Sequence, residues 1–170
     1  MGELWDIYDA NKRKTGRFAE REVYQFKPGE YHIVVNALIM NSKNEILISK
    51  RAAFKPFGLM WECNGGSILK GETSLQGILR EVKEELGIEF QEKDAILFKE
   101  FIKNEAIRDI WLFEKDIDSK DITFPDGETI EAKWVDIDEY FKMANNNEIV
   151  SNFMNEQEFE RAIKLLNERN

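Results

Sequence analysis

A chain of 170 residues, 42% apolar and 34% charged with only three prolines, suits one domain that buries roughly 70% of its unfolded surface, and this composition excludes a disordered chain. The formal charge of -9 and pI near 4.8 exclude a nucleic acid polymer as the main partner, because phosphate backbones are met by basic surfaces. A single cysteine excludes an internal disulfide framework, and the longest strongly apolar run, IVVNALIM, is far shorter than the roughly 20 residues a membrane helix needs.

The start, MGELWDIYDA, lacks the basic-then-apolar order of a signal peptide, and Asp6 stands where a myristoylation signal wants Ser or Thr, so the cytoplasm is the expected compartment. LWDIYD alternates like a strand and NKRKTGR reads as a polar turn; residues 1–30 are therefore expected to form an N-terminal extension packed on a domain of residues 31–170. HIVVNALIM and EILISKR are β-rich runs joined by NSKN, a hairpin signal. An aromatic loop, FKPFGLMW, and the segment CNGGSI lead to Thr73, which forms a capping-box pattern with Gln76. From there Leu75, Ile78, Leu79, Val82 and Leu86 make one apolar helical stripe that stops at Gly87. AILFKEFI, IRDIWLFEK and EAKWVDI read as strands, and DIDEYFKMA and NEQEFERAIKLLNE as helices, the last with Phe159, Ile163 and Leu166 on a face suited to packing on the domain or to a homodimer. Helices on a mixed sheet are the simplest way to bury these stripes.

The predicted helix carries an oddity. Glu81, Glu84 and Glu85 fall within a sector of roughly 100°, where like charges three and four apart repel by about 0.2–0.5 kcal/mol per pair. Gly77 shares the sector of Glu84, at a further cost of about 1 kcal/mol relative to alanine. A hard divalent cation such as Mg²⁺ would turn the repulsion into attraction, and the glycine would leave room for metal or substrate. A merely solvated acidic face is the alternative in a chain so rich in glutamate.

The longer register decides between them: Gly66, Glu72, Arg80-Glu81, Val82, Glu84-Glu85 and Gly87-Ile88 fit G-x5-E-x7-R-E-U-x-E-E-x-G-U, with U apolar, without a substitution. The stretch resembles the Nudix box. The resemblance implies an α/β/α sandwich with a loop-helix-loop box, and hydrolysis of a diphosphate linked to another moiety, typically in a nucleoside diphosphate derivative, with Mg²⁺ or alternatively Mn²⁺. It further implies Glu81, Glu84, Glu85 and the Gly66 carbonyl as metal ligands, Glu81 as a possible base, and Glu72 with Arg80 as the pair that fixes the loop. Glu128, six residues before Trp134, matches a recurrent acid outside the box and is favoured as a further catalytic residue; Asp109 and Glu131 are reserves.

ELWDIYDANKRKTGR, YHIVVNALIMNSKNEILISKR and GLMWECNGG are similar to the isopentenyl-diphosphate-isomerase-like branch of that superfamily. The Cys and His of true isomerases fall on Gly65 and Ser67 here, Cys63 lies two residues early, and His32 alone matches an isomerase ligand position, so hydrolysis is expected over isomerisation. A non-catalytic nucleotide or phosphosugar sensor is the third reading, disfavoured by the whole box. Trp61, Phe54, Phe57 and Trp111 are candidates to stack on a substrate, and Lys50, Arg51 and Lys55 to contact its phosphates.

Overall fold

The computed structural model describes residues 2–150 and 152–169; Met1, Ser151 and Asn170, which fall within the expected N-terminal and main segments, lie outside the described residues. Strands β1 (Leu4–Tyr8) and β2 (Lys14–Glu20) form a two-stranded antiparallel sheet. The expected polar turn of NKRKTGR is shorter than its composition suggests. The Asp9 carboxylate accepts the backbone N–H groups of Asn11 and Arg13 and closes the turn there, so Lys14 onward pairs with β1; the polarity of KTGR is that of a strand with an exposed outer face.

The main sheet has seven strands. β3 (His32–Met40) runs parallel to β8 (Ala106–Glu114) over its whole length, and β7 (Ile96–Lys103) pairs antiparallel with β8. The expected hairpin of β3 with β4 (Ile46–Arg51) exists, but the two strands share only the Met40–Ile46 register and then diverge. Two short strands fill the gap: β5 (Trp61–Glu62) pairs with β4, and β6 (Gly65–Ser67) pairs with β3. The outer edge of β4 is covered by β9 (Thr129–Val135).

Both faces of this sheet are buried. Alternate residues of β3 point to opposite sides, as strand geometry requires. Val35, Ala37 and Ile39 pack with Ile78, Val82 and Leu86 of α1 (Ser74–Leu86). Leu38 and Met40 pack with Tyr140 of α2 (Ile137–Asn145) and Phe159, Ala162 and Leu166 of α3 (Glu156–Arg169). The result is an α/β/α sandwich with a mixed sheet, and the apolar face of α3 is spent on the core. A strand sealed on both sides reads as an unbroken apolar run, which is the pattern of IVVNALIM.

Helix α1 starts and ends where its signals place it. Thr73 and Gln76 close a reciprocal capping box, and Gly87 takes the left-handed conformation, φ 64°, that caps the C-terminus.

Candidate active site

The segment wedged between β3 and β4 brings the box to the sheet. Gly66 pairs with Val35, and the Asn64 carbonyl accepts the Ala37 N–H at 2.8 Å. Arg80 on α1 then ties helix to loop: Nε and Nη2 donate to the two Glu72 oxygens at 2.7 and 2.9 Å, and Nη2 also reaches the Ser67 carbonyl at 3.2 Å. Glu72 in turn accepts the Leu69 N–H at 2.7 Å. Burial works against the Glu72 charge, but Arg80 and the Leu69 amide outweigh it and lower its pKa; the Glu72 carboxylate holds the Arg80 pKa well above the ordinary value.

The three helical glutamates have different surroundings. Glu84 is exposed, whereas Glu85 is buried and Glu81 is mostly covered. The chain itself offsets part of their repulsion. Arg80 Nη1 bridges Glu81 and Glu84 at 2.9 and 3.1 Å, while Glu85 accepts Lys55 Nζ at 2.8 Å and Asn64 Nδ2 at 2.5 Å. Burial raises Glu81 to about 7 against the pull of Arg80, with Glu85 and Glu84 adding to the rise; burial likewise raises Glu85 against Lys55.

These carboxylates line one cavity of about 190 Å³ together with Gly66, Arg51, Lys55, Asp126 and Glu128. Lys55 Nζ spans it, pairing with Glu128 at 2.5 Å as well as with Glu85. Burial opposes the Lys55 charge, yet the hydrogen bonds to Glu128 and Glu85 outweigh it and raise its pKa. Arg51 Nη1 lies 2.7 Å from both oxygens of the neighbouring Glu62, whose carboxyl burial pushes up to about 7.

Other sequence-derived candidates lie elsewhere. Trp61 lies in a different hollow, with Lys50 and Lys133 over its ring at 5.4 and 4.9 Å, and Lys50 faces Glu131 at 3.6 Å. Strand alternation is the reason: Lys50 and Trp61 are register partners on one face, and Arg51 and Glu62 turn to the other. Phe57 and Phe54 are exposed on the loop before β5 and do not line the cavity, and Trp111 donates its indole N–H to Ser74 at 2.9 Å. Asp109 is wholly buried and bound by Lys12 at 2.7 Å. His32 stacks on Trp5 with ring centroids 4.6 Å apart and is neutral across physiological pH, burial having lowered its pKa to about 4. Cys63 is buried and its thiol is pushed up to about 12, so it is no nucleophile. Gly77 does not open space for a ligand. A side chain there would run into Ile68, so this glycine serves the approach of α1 to the box loop.

Asn64, Asp126 and Glu62 were not singled out by the sequence. Asp126 had a signal: its carboxylate accepts the Glu128 N–H at 2.9 Å in the turn PDGE, a short side chain two residues from a favoured acid.

The residues fit a divalent cation. Glu85, Asp126 and Glu128 bring one carboxylate oxygen each within 4.8 Å of one another. The Asn64 Oδ1 atom, on the amide that donates to Glu85, is buried without a hydrogen-bond donor among the described residues. At Gly66 any side chain would collide with the Glu81 carboxylate, so the bare backbone keeps that wall of the cavity open. Hard oxygen donors of this kind select Mg²⁺-like ions over soft metals.

A mixed sheet between helix layers, with a carboxylate helix clamped to a glycine loop over this cavity, is the frame that comparison with known proteins identifies as that of a hydrolase of phosphorus-containing anhydrides. The NUDIX domain model matches residues 30–156, and the chain belongs to the Nudix family. An uncharacterized Nudix hydrolase of Listeria monocytogenes is 33% identical over 159 residues, covering 92% of this chain and 94% of the relative. The 8-oxo-dGTP diphosphatase of Escherichia coli K12 is 45% identical over 51 residues, covering 30% of this chain and 40% of that protein. Among solved structures, DR0079 of Deinococcus radiodurans has the same fold, with a TM-score of 0.73 at 18% identity over 88% of this chain and 93% of that one. No helix among the described residues is long and apolar enough to cross a membrane.

Proposed function

We propose that the chain is a Mg²⁺-dependent pyrophosphohydrolase, with Mn²⁺ as an alternative ion, acting on a nucleoside diphosphate linked to another moiety. The observation that carries the reading is the clustering of Glu81, Glu84, Glu85, Asp126 and Glu128 around one small cavity that Gly66 and four cationic side chains among the described residues also line. Glu81, Glu84, Glu85 and the Gly66 carbonyl would hold the metal, with Asp126, whose carboxylate converges with that of Glu85, as a further oxygen donor. When bound, such an ion neutralises the diphosphate and lowers the pKa of a coordinated water.

The chain's own groups supply the rest. Lys55 and Arg51, though held by Glu85, Glu128 and Glu62, place positive charge at the cavity that draws the anhydride in. Glu128, half-exposed and not on the helix, takes the proton of the attacking water. The water oxygen bonds to one phosphorus, the bond from that phosphorus to the bridging oxygen breaks, and two phosphate-terminated products leave. The clamp from Arg80 to Glu72 keeps the carboxylates in place for a reaction that needs mainly positioning and electrostatics. The nucleoside part of the reading is supported by the activity of the E. coli relative on a nucleoside triphosphate derivative.

The test is coupled phosphate or pyrophosphate release, with and without Mg²⁺, across dinucleotides, nucleotide sugars, nucleoside triphosphates and isopentenyl diphosphate. Metal-dependent release, abolished by EDTA and nearly abolished in Glu85→Gln and Glu84→Gln with the fold intact, is expected. Full activity in both variants would sink the proposal. Thermal stabilisation by one ligand with no release across the panel would point instead to a sensor.

A further inference from the structure

The cavity has a wall that the box does not supply. Glu3 and Arg21, one at the start of the N-terminal hairpin and one just after it, line the same cavity as Glu81, Glu84 and Glu85. Both lie outside the residues 30–156 matched by the family model. Backbone contacts fix their place: the Arg21 N–H donates to the Glu3 carbonyl at 2.9 Å. Two further bonds hold the hairpin on the box loop, from the Lys70 N–H to the Leu4 carbonyl at 2.7 Å and from the Gly71 N–H to the Asp6 carboxylate at 2.9 Å.

Four cationic side chains line this cavity among the described residues, and three are committed. Arg80 spends its guanidinium on Glu72, Ser67, Glu81 and Glu84; Arg51 is taken by Glu62 and the Pro56 carbonyl; Lys55 is held by Glu85 and Glu128. Arg21 differs. Among the described residues only its Nη1 is engaged, with Glu3 at 2.9 Å, and both side chains of that pair are 46% exposed. An exposed pair of this kind contributes little, so an incoming phosphate exchanges readily for Glu3. A guanidinium offers a fork of donors that matches two phosphate oxygens at once.

We infer that Arg21 is a substrate-binding residue, which leaves Glu3 and grips a phosphate of the diphosphate, so that the N-terminal hairpin is part of the active site. The inference rests on the diphosphate reading above.

The probe is methylenediphosphonate, a diphosphate that cannot be hydrolysed, titrated calorimetrically into the full chain in Mg²⁺. Arg21→Gln should weaken binding about tenfold, the value of one charge-assisted contact, and Arg21→Lys should recover part of it. Glu3→Gln should tighten binding by about two- to threefold, because it frees the guanidinium from an exposed pair. Arg13→Gln, on the same hairpin but away from the cavity, should match the parent. The opposite signs at Arg21 and Glu3 are the decisive readout. If both variants weaken binding alike, the pair is scaffolding and the assignment falls; it falls equally if Arg21→Gln stays within twofold of the parent while Glu85→Gln loses binding. A parent protein that binds no methylenediphosphonate in Mg²⁺ would overturn the diphosphate reading, and this inference with it.

Discussion

Replacing Arg80 by methionine keeps an unbranched apolar stem and good helix propensity while removing every guanidinium contact. The structure shows what is lost: two hydrogen bonds to Glu72, one to the Ser67 carbonyl, and the bridge between Glu81 and Glu84. Breaking one side of a fully buried pair costs about 3–5 kcal/mol and of an exposed pair about 0–1 kcal/mol. The Arg80 and Glu72 side chains are 21% and 20% exposed, between those limits. A loss of about 2–3 kcal/mol follows, or roughly 5–10 °C in Tm for a domain of this size. Glu72→Gln should cost less, since the amide oxygen still accepts the Leu69 N–H and no unpaired carboxylate remains. Thermal unfolding of parent, single and double variants at pH 7, followed by circular dichroism without metal, gives the coupling directly. Additive losses, or a parent-like Tm for Arg80→Met, would refute the clamp.

Gly66→Ala should force the Glu81 carboxylate aside, lowering activity about a hundredfold while costing under about 1 kcal/mol of stability, because a side-chain end moves rather than backbone; parent-like turnover would refute it. At Gly77 helix propensity alone forecasts stabilisation by about 1 kcal/mol, but the contact with Ile68 reverses the sign, so Gly77→Ala should lower stability by about 1–3 kcal/mol in urea unfolding. A more stable variant would show that the packing account is wrong. Burial lowers His32 from 6.5 to about 4, so the unfolded chain takes up a proton that the folded chain refuses. Its contribution is present above pH 6.5 and is lost as the pH falls from there to about 4, by about 3 kcal/mol at the foot of that window. His32→Gln should flatten that part of the curve of Tm against pH, and an unchanged acid slope would count against the burial argument.

How much of this was legible follows from the range of the forces involved. Helix α1 was readable from end to end because Thr73, Gln76 and Gly87 act within one turn of the residues they cap. The sandwich was readable because the apolar stripes of α1 and α3 and the unbroken run of β3 demand two covered sheet faces. Lys50 and Trp61 were grouped with the site by residue type alone; the alternation of β4 and β5 separates them from Arg51 and Glu62, a distinction available once those strands are assigned. The neutralisation of Glu85 by Lys55, 30 residues away, and the approach of Arg21 to the box come from the tertiary path of the chain. No local pattern encodes either.

The parallel pairing of β3 with β8 has a kinetic consequence. His32 faces Ala106, 74 positions later (106 − 32), and this register carries the strand on which β6 leans. Closing so long a loop before any of its contacts reward it puts the folding rate on the slow side for a chain of this length. As the box segment emerges in synthesis, β3 already stands ready for β6 and α1 to dock on, but Asp126 and Glu128, which complete the acidic cavity, are made some 40 residues after the box helix (126 − 86), so the cavity closes only after its helix has a strand to rest on.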